Sequence, residues 1–149
     1  MKNPRFSIAH EDEMLKNLVK KTDKKILAVW AIDCARRVLP YFEKEFPKDT
    51  RPKDAIKTLQ KWIKTGEFSM AVIRKASLDA HAAARDVGLD TPARSAARAC
   101  GQAVATAHVK THAYGPAVYA QQAIFRATGS IEKTEKERDW QYEHLLGLI

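Results

Sequence analysis

ARSAARACGQAVATAHVKTHAYGPAVYAQQAI, residues 93–124, decides the fold, because almost every third or fourth position in it is small and no β-branched run interrupts it. Projected at about 100° per residue, Ala93, Ala97, Cys100, Val104 and Thr111 share one narrow stripe. Ala96, Ala103 and Ala107 flank it on one side, and Gly101, His108 and His112 on the other. A face of Ala, Cys, Gly and Val lets neighbouring backbones approach closely. The pattern predicts a central helix from Ala93 to Ala113, a break at Gly115-Pro116, and another helix beyond.

Outward from this stretch the whole chain reads as helix. Glu11 to Lys21 carries Met14, Leu15, Leu18 and Val19 on one side and acids in its first turn, facing the positive end of the helix dipole. Asp23 is placed to cap a helix from Lys24 to Phe46, whose broad apolar arc includes Leu27, Trp30, Cys34, Val38 and Phe42. Pro40 inside that pattern predicts a kink or local break. Pro52 opens a third helix ending at Gly66, with Ile56, Leu59, Trp62 and Ile63 turned inward. Ser69 caps a fourth, stopped by Gly88, and Thr91-Pro92 opens the central one. A sixth runs from Pro116 to Gly129. The last, about Glu132 to Leu146, pairs Glu132 with Lys136 and Lys133 with Glu137 and docks through Trp140, Leu145 and Leu146. The expected fold is all-α: a helical-hairpin bundle of six or seven helices, without a sheet, in a single domain spanning residues 1–149. Ala80-His81, Gly88 and Pro92-Ala93 recur as Ala107-His108, Gly115 and Pro116-Ala117, 27 residues on, which leaves a duplicated hairpin open.

With 149 residues, 45% of them hydrophobic and 30% charged, the chain can bury a substantial core. The net charge of +8 belongs to its first half: residues 1–75 hold 18 Lys or Arg against 10 Asp or Glu, and residues 76–149 hold 8 against 8. Such asymmetry suits a negative partner surface, whether protein, nucleic acid or lipid. The first residues carry no apolar signal segment, and no stretch approaches the roughly 18 apolar residues of a membrane span, so a cytoplasmic protein that stays off membranes is expected. Cys34 and Cys100 lie in apolar helical patterns without CxxC spacing and read as reduced core residues.

Asp33 sits at the margin of an apolar arc, where an unpaired carboxylate is costly to desolvate. Its expected partner is Arg37 or Arg36 on its own helix, or a histidine from another. His81 lies near the middle of a Met70, Ser77, Ala84 face, and His108 with His112 makes an i, i+4 pair. Asp33, Arg37, His81, His108 and His112 are therefore the candidate polar pocket, walled by small residues and read as a hydrogen-bonded network. Two imidazoles at that spacing can meet one metal ion, but HVKTH lacks the glutamate of HExxH and the sequence places no third ligand, so neither metal nor cofactor is expected. With no thiolate-favouring cysteine setting, glycine-rich phosphate loop or GxSxG elbow, no enzyme is expected either. Lys53, Lys57, Lys61 and Lys64, spaced by four, four and three, form a basic ridge and the candidate partner-binding surface. With Lys20, Lys21, Lys24 and Lys25 that ridge could follow a phosphate backbone, which makes a nucleic-acid-binding module the alternative and a histidine-based metal protein the third reading.

The order of motifs adds a further constraint. Trp30-Ala31, Asp33-Cys34-Ala35 and Val38-Leu39-Pro40 are followed by Arg51-Pro52, Ala55-Ile56, Trp62 and Ala80-His81-Ala82-Ala83-Ala84-Arg85. Ala103 to Val109, His112-Ala113, Trp140-Gln141 and His144-Leu145 complete the series. Over about residues 25–146 the chain resembles small all-helical bacterial proteins classed as immunity proteins of polymorphic toxin systems. The resemblance implies a cytoplasmic protein that binds a toxin domain and blocks it without chemistry of its own. After Gly101, where that resemblance leads one to expect a histidine, this chain has Gln102. A basic immunity protein suits a toxin with an acidic surface better than a nuclease, whose inhibitors often imitate nucleic acid.

Overall fold

The structure is a computed structural model that describes residues 13–149. Seven α-helices follow one another: α1 (Glu13–Lys21), α2 (Lys24–Glu45), α3 (Arg51–Thr65), α4 (Met70–Val87), α5 (Pro92–Ala105), α6 (Tyr114–Thr128) and α7 (Ile131–Leu148). A 3-10 turn (Lys110–Ala113) lies between α5 and α6, and no strand occurs among the described residues. The expected start of the first helix at Glu11 lies outside the described residues.

Local chemistry accounts for most boundaries. Asp23, Ser69 and Ser130 each accept a backbone N–H with their side chains at the starts of α2, α4 and α7. Gly66, Gly88 and Gly129 close α3, α4 and α6 in the left-handed conformation, at φ of 70°, 79° and 65°. Pro40 does not interrupt α2; it stands on the exposed side of a continuous helix.

Helix α5 is the centre, packed by α2, α3, α4 and α6. Ala93, Ala96, Ala97, Ala99, Cys100, Gly101, Ala103 and Val104 are all buried on it, so it is enclosed on nearly every side. It is shorter than predicted. Lys24 Nζ donates to the Ala107 carbonyl at 3.1 Å, occupying the acceptor that a continuing helix would offer to residue 111. Val109 is then extended (φ −132°, ψ 117°), and Lys110 Nζ donates to the carbonyls of Lys20 and Thr22 at 2.8 and 3.2 Å. The break therefore falls at residues 106–113 instead of Gly115-Pro116, and His108 and His112 sit on a turn and a 3-10 segment, not on one helix face. Pro116 is the third residue of α6, in the turn whose N–H groups have no intrahelical acceptor. Gly115 is helical as well: a Cβ there would lie 2.8 Å from Cβ and Cγ of Gln102. The 27-residue echo thus pairs a helix end at Gly88 with a close approach at Gly115, which are different structural situations.

Helix α7 docks through a stripe that hydropathy conceals. Glu137, Gln141 and Leu145 are buried, with Trp140 partly so, whereas Leu146 is exposed. Gln141 is fully enclosed: its amide nitrogen donates to the Ala117 carbonyl, its side-chain oxygen accepts from Gln121, and its backbone carbonyl accepts from Trp30 Nε1, each at 2.9 Å. Gln141→Leu would remove two of these three bonds inside the core. Denaturant unfolding should show a loss of about 1–3 kcal/mol, the cost of buried polar groups left unpaired, with helical content retained; wild-type stability would show that α7 docks otherwise.

Candidate functional site

The histidine edge is assembled from α4, α5 and the turn after α5. His81 of α4 lies against α5 where Gly101 leaves room: a Cβ on Gly101 would sit 2.7 Å from His81 Nε2 and 3.0 Å from Cε1. Arg98, one turn before Gly101, donates from Nη1 to His81 Nδ1 at 3.0 Å, which fixes Nδ1 as the acceptor of a neutral ring. Ser77 donates to the Gly101 carbonyl at 2.9 Å. On the next turn of α5, Gln102 Oε1 accepts from His112 Nδ1 at 2.9 Å. The position where a histidine was expected thus holds a residue that orients one.

Burial, reinforced by the positive charge of Arg98 and then by Arg85 and His112, lowers the His81 pKa to about 4. His81 is accordingly neutral at physiological pH. His108 is exposed, with its ring stacked on Phe68 at 6.3 Å between centroids. His108 and His112 share the wall of an open groove with Met70, Arg74 and Leu78.

Asp33 and Arg37 are not part of this edge. Asp33 Oδ2 pairs with His144 Nε2 at 2.7 Å, so its partner is a histidine from α7 and not Arg36, Arg37 or any of the three histidines proposed for the pocket. Arg37 holds Glu137 with Nε at 2.9 and 2.7 Å from the two carboxylate oxygens and Nη2 at 2.7 Å from Oε1. That hydrogen bonding raises the Arg37 pKa. The Arg37 guanidinium lies 3.7 Å from the Trp140 ring centroid, and Trp140 stacks on His144 at 4.6 Å. Glu137 is therefore turned to α2 instead of to Lys133. The spacing 137, 140, 141, 144, 145 is a docking stripe, and it was the signal available in the sequence; its mostly polar letters obscured it.

The chemistry open to these groups is limited. Burial raises the thiol pKa of both Cys34 and Cys100, with nearby carboxylates adding to it, so neither favours the thiolate. Among the described residues no group of three or more His, Cys, Asp or Glu is arranged to hold a metal.

The lysine ridge lies on α3 opposite Ala55, Ile56, Leu59 and Trp62. Lys53, Lys57, Lys61 and Lys64 are all exposed, and none is ion-paired with a described residue. Lys24 and Arg51 are committed instead: Lys24 lies 5.4 Å from the Trp62 ring and caps Ala107, and Arg51 binds Asp49 and Asp86. Beside the ridge, Phe68, Met70, Val72 and Leu78 stand exposed by 49, 44, 55 and 54%. Periodicity did not single out this apolar surface, because it begins in the loop before α4 and continues on that helix's outward face.

The contact between His81 and Gly101 gives a direct test. Gly101→Ala should cost about 1–3 kcal/mol by overpacking, and much of that loss should disappear on a His81→Ala background, where the imidazole is gone; additive effects would mean that the two do not touch. Because the folded pKa of His81 is depressed to about 4 from about 6.5, its stabilising contribution is complete above about pH 6.5 and is lost as pH falls from there towards 4. Thermal melts should therefore show a smaller drop between pH 7 and pH 4.5 for His81→Gln than for wild type, and equal drops would refute the neutral, buried assignment.

A sequence model described as "Imm-5 like putative immunity protein" matches residues 17–147. No significant match was found among curated proteins or among solved structures. The matched span includes the central helix, the histidine edge, the lysine ridge and the α2–α7 clamp, and on that extent the chain belongs to the Imm-5-like family of putative immunity proteins.

Proposed function

We propose that the protein neutralises a toxin domain by stoichiometric binding in the cytoplasm, that it performs no turnover, and that the toxin presents an acidic surface. The observation that carries this reading is the row of exposed lysines on α3, none of them ion-paired with a described residue, in a chain that belongs to an immunity-protein family. A like-charged row without internal partners is unfavourable by self-repulsion, and an acidic surface relieves it. Charge of this kind chiefly accelerates encounter and selects the partner, with affinity supplied by a smaller desolvated centre.

Lys57→Glu with Lys61→Glu tests it. Both positions are exposed on α3, so folding should be unaffected. Against a candidate toxin domain chosen from the genes that flank this one, association should slow by about tenfold or more and lose part of its salt dependence. In co-expression, wild type should restore growth and the double reversal should restore less. Failure of the wild type to protect, or tight binding to duplex DNA at physiological salt, would overturn the reading in favour of a nucleic-acid module.

A further inference from the structure

We infer that the affinity-determining centre is the apolar surface at the start of α4, and that it receives an apolar protrusion of the toxin set within an acidic segment. The inference rests on the proposed function and adds the surface and the chemistry of what it binds.

Large exposed apolar side chains are concentrated here. Of the ten among the described residues, Phe68, Met70, Val72 and Leu78 lie within eleven consecutive positions, whereas Met14, Leu89, Ile131 and Leu146 are scattered over other elements. Isolated apolar residues on a surface are ordinary, but a contiguous group points to an interface. The relief is also suitable. One groove of about 340 Å³ runs between the end of α3 and Phe68, Val72 and Ile73. A second, of about 240 Å³, lies on the other side of Ile73, between Met70, Leu78 and the His108–His112 turn. Ile73 lines both and is itself buried, so the two grooves share a floor anchored in the core.

Phe68 is held before any partner arrives. Gly66 turns the chain at φ 70°, Ser69 caps α4, and His108 stacks on the Phe68 ring. An aromatic anchor fixed in this way loses little rotamer freedom on binding, which is a property of residues that dominate interface energies.

The charge around the surface selects the occupant. Lys61 lines the first groove and Arg74 the second, with Lys57 and Lys64 on the adjoining ridge. Glu67 is the acid on this rim, and Lys75 and Asp79 answer each other as an ion pair. The rim is therefore positive, and it complements an acidic border around an apolar protrusion. A second copy of this chain fits poorly, since a two-fold contact would bring the same cationic rims together.

The experiment uses the full chain and a candidate toxin domain chosen from the genes that flank this one, carrying an inactivating substitution, with Phe68→Ser/Val72→Ser as the test variant and Leu146→Ser as a distant control. Both test positions are about half exposed, and unchanged circular dichroism and melting temperature establish folding before binding is measured. Calorimetry should show wild type binding, the double variant weakened by about 100-fold or more, and the control unchanged. Hydrogen exchange on the wild-type complex should show protection over residues 66–78 and 105–112. Should the double variant prove unfolded, the exchange map alone decides. Binding of the folded double variant with wild-type affinity, or protection of the wild-type complex confined to α6 and α7, overturns this surface and leaves the proposed function standing. Wild type that does not bind overturns both. A wild-type dimer in sedimentation that the double variant abolishes assigns the surface to a second copy and overturns the inference as well.

Discussion

The structure depends on how closely four helices can approach α5. Its buried residues are almost all Ala, with Cys100, Gly101 and Val104, so each gains little from its own burial; the stabilisation comes from what the small side chains allow the neighbours to do. Trp30, Phe42, Leu27 and Leu59 are fully or almost fully enclosed, and they fill the volume around a thin central rod. The larger side chains thus come from the surrounding elements. At Gly101 even one added carbon pushes against the His81 ring.

A helix enclosed this way still carries polar residues, and their spacing orders the bundle. Arg94, Arg98 and Gln102 recur at every fourth position and bond, in turn, the Ala84 carbonyl, His81 and His112. Ser95, on an adjacent row, donates to Gln122 and accepts from Arg126 of α6. One polar seam thus aligns α4 and the following turn, and another aligns α6. Each bond is satisfied across a helix boundary, which specifies register as well as stabilising it. His81 and His112 belong to that seam, whereas His108 stacks on Phe68 outside it.

The legible parts of the sequence were those governed by neighbours in the chain. Asp23 and Ser69, and the glycines at 66, 88 and 129, act on N–H and carbonyl groups within a few residues of themselves, and they announced the helix ends; Ser130, which caps α7 in the same way, was not singled out. The illegible parts were settled at long range. Lys24 reaches a carbonyl 83 residues away and ends α5 early, which a helical projection of residues 93–113 cannot register. Asp33 meets His144 across 111 residues, and Glu137 forgoes its helical neighbour Lys133 for Arg37. Asp33 and Glu137 each had a candidate partner on their own helix and took one from another helix instead.

The same selection separates the two ends of the surface. Where basic residues meet acids across helices, as at α2 and α7, charge is absorbed into architecture: Arg37 lies between Glu137 and the Trp140 ring. On α3 the lysines have no described acid opposite them, and the chain beyond Gly66 turns apolar side chains outward beside them. Folding alone would be served better by closing that edge as α7 closes the other. Exposed Phe68, Met70 and Val72 work against solubility and the like-charged row beside them against stability, and the acidic, apolar partner surface proposed above would relieve both.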